Sequence, residues 1–309
     1  MRKHLLFIFA LLFTACSSLP QAEVAGNVDL NNLQPLPASA ASEAVPLRVA
    51  VAAVISPKGT VASYAPFLEY LELKLNRPVE LVQRRTYLEI NNLIERGEVD
   101  LAFVCTSAYV EGHDSFGMEL LVAPQVNGKT TYNSVLIVPI LSKAQDMRDL
   151  RGKVFAFTDP ISLSGRMYPT YLVHQLNSAP DEYFSRTIFT YSHDEAIRAV
   201  ASGVADGAAV DSLVYEFALT REPELKDKVR VIHRSPDFGI PPVVISPFTR
   251  PQVKAELQTL LLEMVNDPNA REALASIGVD TFVLLDDKSY SSARILLDTI
   301  SIPGLPNVP

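Results

Sequence analysis

The sequence predicts an α/β protein of two lobes. Three observations predict it. Apolar, β-branched runs alternate with amphipathic helical patterns from Leu47 onward. The alternation restarts near Val135. The chain then closes with three helical patterns in succession. Apolar residues make up 48% of the 309 residues and charged residues 20%, so the chain can bury a core.

Each element follows from local pattern. Leu47–Ile55 is a Val/Ala-rich run suited to a strand buried on both faces. Tyr64, Phe67, Leu68, Leu71 and Leu75 recur at helical spacing, with Pro66 placed in the first turn, where proline is tolerated. Pro78–Gln83 reads as a strand, and Tyr87–Arg96 as a helix stopped by Gly97. Val99–Val104 is again a strand. The second series runs from Val135–Ile140 through Lys153–Phe157, a helix over Gly165–Leu176, Thr187–Tyr191, a helix from His193 to Ala201, Ala205–Val210 and a helix from Ser212 to Leu219. Val229–His233 and Val243–Ser246 are strands. Helices are expected over Val253–Val265, Ala270–Ile277 and Tyr290–Thr299. Such alternation predicts largely parallel sheets with crossover helices. Two crossings between lobes are expected near Leu136–Leu141 and Ile240–Pro247. Lobe 1 would then comprise 47–138 plus 246–309, and lobe 2 139–245.

The N-terminus reads as an address. Residues 1–16 begin with Arg2 and Lys3, continue as an apolar run from Leu5 to Phe13, and end Phe13-Thr14-Ala15-Cys16. The run is far short of the ~20 residues that span a bilayer and has the form of a secretory signal. Its ending resembles a bacterial lipobox, which implies acylation of Cys16. Residues 17–46 hold no Lys, Arg or aromatic residue and several prolines, the composition of a tether able to reach roughly 100 Å when extended. Ser17 after the acylated Cys implies an outer-membrane destination if the source is Gram-negative, so the membrane is met only through the lipid anchor.

Charge and cysteine content exclude several classes. There are 27 Lys+Arg against 35 Asp+Glu, net −8, which argues against a nucleic-acid partner or a polybasic membrane surface. Two Cys cannot build a disulfide framework or a four-ligand zinc site, and no HxxxH or CxxC spacing occurs, so neither metal nor cofactor is expected.

Polar chemistry concentrates where strands hand over to helices, the ligand-bearing edge of open α/β sheets. Cys105-Thr106-Ser107-Ala108-Tyr109 follows the strand ending at Val104. Ser162-Leu163-Ser164-Gly165 follows Phe157-Thr158-Asp159-Pro160. Tyr191-Ser192-His193-Asp194 opens one helix, and Asp211-Ser212 opens the next. Each group reads either as an ordinary helix cap or as an anion cradle of free N–H groups and hydroxyls. Gly128-Lys129-Thr130 is no P-loop, because Ala123 replaces the required first glycine. Arg84-Arg85 reads as a solvated pair at a strand end.

Taken in order, Phe157-x-Asp159-Pro160-x-Ser162-x-Ser164-Gly165, Tyr191-Ser192-His193-Asp194-x-Ala196 and Val204-x-Asp206-Gly207-Ala208 resemble the periplasmic phosphonate-binding (PhnD-like) family of ABC-importer solute-binding proteins. Tyr64-Ala65-Pro66, Gly97-x-Val99-Asp100-Leu101-Ala102-Phe103 and Leu150-Arg151-Gly152-Lys153 agree. The resemblance covers about Leu47 to Leu297. It implies a type II periplasmic-binding fold, two α/β lobes closing a cleft over a small oxyanion for an ABC permease. It implies a monomer by default, and no catalysis. It also implies an oxyanion cradle at Ser162, Leu163, Ser164 and Gly165, with His193 and Asp211 beside it and an aromatic wall at Tyr64 and Tyr109. The family's usual threonine is Leu163 here. Its usual Gly-Pro is replaced by Cys105-Thr106-Ser107, which adds those three to the site.

Cys105 reads either as a small core filler or as a thiol of lowered pKa at a helix N-terminus. The second reading resembles the arsenite-binding branch of the same family, which signals to a membrane histidine kinase. A Cys105 nucleophile with His193 as base is not expected, since both would line one anion pocket.

Overall fold

The computed structural model describes residues 45–300, so the signal segment, Cys16, Ser17 and nearly all of the tether lie outside the described residues. β1 (Leu47–Val51) is followed by α1 (Pro57–Leu75), β2 (Val79–Gln83), α2 (Tyr87–Glu95), β3 (Leu101–Phe103), α3 (Thr106–Phe116) and β4 (Glu119–Gln125). A short strand β5 (Thr131–Tyr132) leads into β6 (Ser134–Pro139), β7 (Val154–Phe157), α4 (Tyr168–His174), α5 (Pro180–Tyr183) and β8 (Arg186–Phe189). Then come α6 (His193–Ala201), β9 (Gly207–Asp211), α7 (Ser212–Arg221), β10 (Val229–Arg234) and β11 (Phe238–Gly239). The chain ends with β12 (Val243–Ile245), α8 (Pro251–Glu263), α9 (Arg271–Ser276), β13 (Thr281–Val283) and α10 (Ser291–Thr299).

The strands form two main sheets, ordered β13-β4-β12-β3-β1-β2 and β10-β6-β9-β7-β8. Parallel pairing is confined to β2-β1-β3 and to β8-β7-β9; the other pairs are antiparallel. The expectation of largely parallel sheets is therefore corrected to mixed ones. Strand–helix alternation reports the crossover units, but not the strands that return from the other half of the chain.

That return also relocates the first crossing, to residues 126–133, while the second, between Gly239 and Val243, falls within the expected Ile240–Pro247. β5 and β11 pair as a two-stranded ribbon, Tyr132 opposite Phe238 and Thr131 opposite Gly239. The chain leaves the first sheet after Gln125 and re-enters it at Val243. Val135–Val138, assigned to lobe 1 from the sequence, pair inside the second sheet, while Val243–Ile245, assigned to lobe 2, pair inside the first. Both runs are fully buried, and an apolar run announces a buried strand without saying in which sheet.

α1 begins seven residues before Tyr64. Ser56-Pro57 supplies its start, with Pro57 in the first turn, and Pro66 sits inside the helix rather than at its start. Thr86 and Glu89 form a reciprocal capping box on α2, and Gly97 takes positive φ just past its end. The first sheet is covered on one face by a core of Phe67, Leu71, Leu257, Leu261 and Leu274, and on the other by Tyr87, Ile90, Ala108 and Leu296. The second sheet is covered by Ile197, Val200 and Val214 on one side and by Phe155, Phe157 and Val173 on the other. Both sheets present strand ends and helix starts toward the cleft between them. No helix among the described residues is long and apolar enough to cross a membrane.

Candidate functional site

Cys105 stands at the N-cap of α3, in extended backbone that hands β3 over to the helix. Its thiol is buried, 3.5 Å from Ser107 Oγ, and the N–H groups of Ser107 and Leu163 both face the sulfur. Leu163 comes from the other side of the cleft, so the two helix starts meet here. Burial pushes the Cys105 thiol up from its ordinary value, against the hydrogen bonds from Ser107 and Leu163. The expectation of a lowered thiol pKa is thereby corrected. The helix N-terminus cannot offset the loss of water around a fully enclosed sulfur.

Thr106 and Ser107 are buried, but their hydroxyls serve the frame. Thr106 Oγ1 donates to Gly239 O at 2.8 Å, and Ser107 Oγ donates to Ile161 O. Only the backbone N–H of Thr106, at the start of α3, is then left to offer to an anion.

On the facing side, Ser162 caps the next helix start, its Oγ accepting from Gly165 N–H at 3.0 Å. The helix opens with one π-helical turn, Leu163–Met167, because both Arg166 and Met167 N–H reach back to Ser162 O. Leu163 and Ser164 N–H precede the first helical bond; Leu163 N–H faces the Cys105 sulfur and Ser164 N–H remains available. Ser164 Oγ is buried without a partner, while Ser164 O accepts from Ser134 Oγ at 2.7 Å. Gly165 is demanded by contact: a Cβ there would sit 1.9 Å from Thr158 Oγ1.

His193 opens α6 and is 1% exposed. Its N–H donates to Val54 O at 2.9 Å, and its Nδ1 accepts the N–H of Asp211 at 3.0 Å. An Nδ1 that accepts leaves the proton on Nε2, so the ring is a neutral donor. Burial drives its pKa down to about 3. Asp211 caps α7, Oδ1 accepting from Leu213 N–H at 2.7 Å and from Val214 at 3.4 Å. Burial nevertheless pushes its carboxyl up to about 7.

Two hydroxyls absent from the sequence expectation complete the group. Tyr87 OH and Tyr132 OH are buried without partners. Both lie close enough to Cys105 and Asp211 to feel their charge, and Tyr132 also lies beside the hydroxyls of Thr106 and Ser164. Tyr87 has a sequence signal in hindsight, since it opens a helix directly after a strand, as the other site groups do. Tyr132 has none, because the ribbon that carries it is two residues long.

The expected aromatic wall lies elsewhere. Tyr109 faces α10, donating to Asp287 Oδ1 at 2.8 Å and packing 4.6 Å from the Tyr290 ring. Tyr64 packs edge-on against Phe67 and Phe103 and lines an apolar cavity that Asp211 also borders. Both were expected from the family resemblance. Helical phase turns Tyr109 away, and the earlier start of α1 sets Tyr64 into its middle turns.

Among the described residues no cation enters the group. Arg166 stacks over Phe157 at 4.1 Å; Arg84 and Arg85 are exposed, as expected for a solvated pair, and Arg85 also stacks on Tyr191 at 4.0 Å across the cleft. The mouth is further clasped by Asp194, which accepts from Ser56 N–H at 2.8 Å and Ser56 Oγ at 2.6 Å. Among the described residues no cluster of three or more His, Cys, Asp or Glu could hold a metal ion. The arrangement offers hydroxyls, free helix N–H groups, one neutral imidazole and one carboxyl, which can enclose a small oxyanion by hydrogen bonding alone.

Comparison with known proteins adds the following. A family model described as "ABC transporter, phosphonate, periplasmic substrate-binding protein" matches residues 49–290. The chain is 27% identical over 243 residues to the phosphate-import protein PhnD of Mycolicibacterium smegmatis, covering 74% of this chain and 76% of that one. It is 26% identical over 265 residues to the phosphonates-binding periplasmic protein of Escherichia coli, covering 84% and 78%. In shape it is similar to a binding protein component of an ABC phosphonate transporter from Pseudomonas aeruginosa. The TM-score there is 0.76 at 24% identity, covering 82% and 85% of the two chains.

Proposed function

Given that this chain belongs to the family of periplasmic substrate-binding proteins of ABC phosphonate transporters, we propose that it captures a small phosphorus oxyanion in the cleft between its two sheets and delivers it to an ABC permease. The observation that carries the reading is the convergence of three buried, unpartnered hydroxyls, Tyr87, Tyr132 and Ser164, on the meeting point of two helix starts. A native protein seldom leaves buried hydroxyls unsatisfied. An oxyanion would satisfy all three, together with the N–H groups of Thr106 and Ser164 and the Nε2–H of His193.

Asp211 tunes the choice of anion. A carboxyl that stays protonated to about pH 7 donates to an anionic oxygen; once ionised, it accepts from a ligand O–H or amine. The pocket therefore favours an oxyanion that carries a proton or an amino group. Leu163 supplies no hydroxyl, and Ser162 Oγ is engaged by Gly165, so the donors on this side are fewer than a Ser-Thr-Ser run would give. The protein binds without chemistry, as a monomer on a lipid anchor at Cys16, its two lobes closing about the β5–β11 ribbon. Signalling to a histidine kinase with arsenite bound through Cys105 is disfavoured, because the buried sulfur stays a thiol and already has two N–H neighbours.

Isothermal titration of the full-length chain with phosphate, phosphite, methylphosphonate, 2-aminoethylphosphonate and arsenite tests this. Binding of at least one phosphorus oxyanion, lost in a Tyr87→Phe/Tyr132→Phe double variant, is the expected result. Binding of arsenite alone overturns it.

A further inference from the structure

A large cavity lies next to the oxyanion cradle rather than in it. It encloses about 730 Å³, a size typical of sites for drug-sized molecules and far beyond what a bare phosphate needs. Its walls come from both sheets: the strand ends at Ala52 and Val104, the crossing prolines Pro241 and Pro242, and Leu213 and Phe217 of α7. Val104 directly precedes Cys105. Asp211 lines the cavity and also lies beside Cys105, Tyr87 and Tyr132 in the cradle, so it borders both spaces.

The cavity is not itself an oxyanion site. Its lining carries four acids and a single cation, Arg271. Three of the acids are engaged: Asp267 with Lys74 at 2.5 Å, Glu216 with Arg234 at 3.5 Å, and Asp280 with the Gly128 N–H at 3.0 Å. Asp211 uses Oδ1 to cap its own helix, and no hydrogen bond among the described residues uses Oδ2. Apolar walls with acidic fringes repel a phosphoryl group and accept a hydrocarbon one.

We propose that this cavity is the chamber for the ligand's organic substituent, so that the preferred ligand is a phosphonate carrying a bulky apolar group, an aryl- or long-chain alkylphosphonate, rather than phosphate or methylphosphonate. The proposal rests on the oxyanion reading of the cradle and extends it. The phosphonate head sits among the hydroxyls and helix N–H groups, and the substituent passes Asp211 into the space beyond.

Isothermal titration of the full-length chain with phenylphosphonate, methylphosphonate and phosphate tests it, using two cavity-filling variants remote from the cradle. Thr220→Trp on α7 and Ala275→Trp on α9 both sit at exposed positions on the cavity rim. Phenylphosphonate is expected to bind at least about tenfold more tightly than methylphosphonate. Either tryptophan is expected to abolish that preference while leaving methylphosphonate affinity within about twofold of the original, as for independent sites. Equal affinity for the two phosphonates in the unmodified chain overturns the chamber, as does a preference that survives both tryptophans. If phenylphosphonate, methylphosphonate and phosphate all fail to bind, the oxyanion reading falls, and this inference with it.

Discussion

The carboxylate of Asp159 caps a helix on the far side of the cleft: its Oδ2 accepts the N–H of Tyr87, the first residue of α2, at 3.0 Å. Oδ1 accepts from Ile161 N–H at 2.9 Å, within its own loop. One buried acid thus ties the start of α2 to the loop that carries Ser162 and Ser164, and sets Tyr87 against the cradle. Asp159→Ala would leave two buried N–H groups unpaired, at about 1–3 kcal/mol each. Urea unfolding should show that loss, and ligand affinity should fall with it. Asp159→Asn keeps one acceptor but sets its NH2 against the other N–H, so it should recover only part of both.

Tyr87→Phe and Tyr132→Phe should separate binding from stability. Neither hydroxyl has a partner among the described residues, so its removal should leave the melting temperature equal or higher. Each should weaken oxyanion binding by about tenfold or more, the worth of a hydrogen bond to a charged group. A matched loss of stability and affinity would mean the hydroxyls are structural.

Asp211 and Asp159 predict a pH dependence of definite sign. Burial raises the folded-state values to about 7 and about 6, above the unfolded value near 4. Between those limits the folded state holds protons that the unfolded state has released, so stability from these groups falls as pH rises. The advantage of the parent protein over Asp211→Asn should be greatest near pH 4 and decline through pH 7, by on the order of 1 kcal/mol per unit of pKa separation. Denaturant unfolding of both proteins at several pH values measures the difference, which cancels the opposite contribution of acids such as Asp194.

Gly165→Ala should damage the cradle and the fold together. The added methyl would lie 1.9 Å from Thr158 Oγ1 and 2.8 Å from its Cβ, and Thr158 is fully buried. The clash should destabilise by roughly 1–3 kcal/mol and abolish tight binding. Thr158→Gly in the same chain should restore much of the stability.

Cys105 should behave as a hidden thiol. Its raised pKa and 3% exposure predict slow alkylation by iodoacetamide at neutral pH, slowed further when the cleft is filled. Cys105→Ser should keep oxyanion binding within about threefold, since a hydroxyl can take over the N–H contacts of the sulfur.

Much of the site was legible because its residues follow one local rule. Cys105, Ser162, His193 and Asp211 each begin or cap a helix directly after a strand or its loop, and such junctions can be read from a few adjacent letters. The aromatic wall came from the family resemblance and not from the junction rule, and it does not close on the cradle. Tyr109 lies four residues from Cys105 yet faces Asp287, and Tyr64 belongs to an aromatic cluster under α1. The junction rule passed over Tyr87, whose role depends on Asp159 reaching across the cleft.

By itself the sequence determined the α/β class, the position of most strands and helices, the family and the helix starts that line the cleft, because periodicity, capping and turn chemistry act over a handful of neighbouring residues. Tertiary structure alone decided which sheet received Val135–Val138 and Val243–Ile245, and where the chain first crosses. It also decided that Thr106 and Ser107 turn their hydroxyls to the frame, that the Cys105 thiol is suppressed rather than activated, and that an apolar cavity opens beside Asp211. Each of these depends on partners far along the chain, 54 residues away for Ser107 with Ile161 and 133 for Thr106 with Gly239, or on burial, and neither is a property of a local stretch of chain.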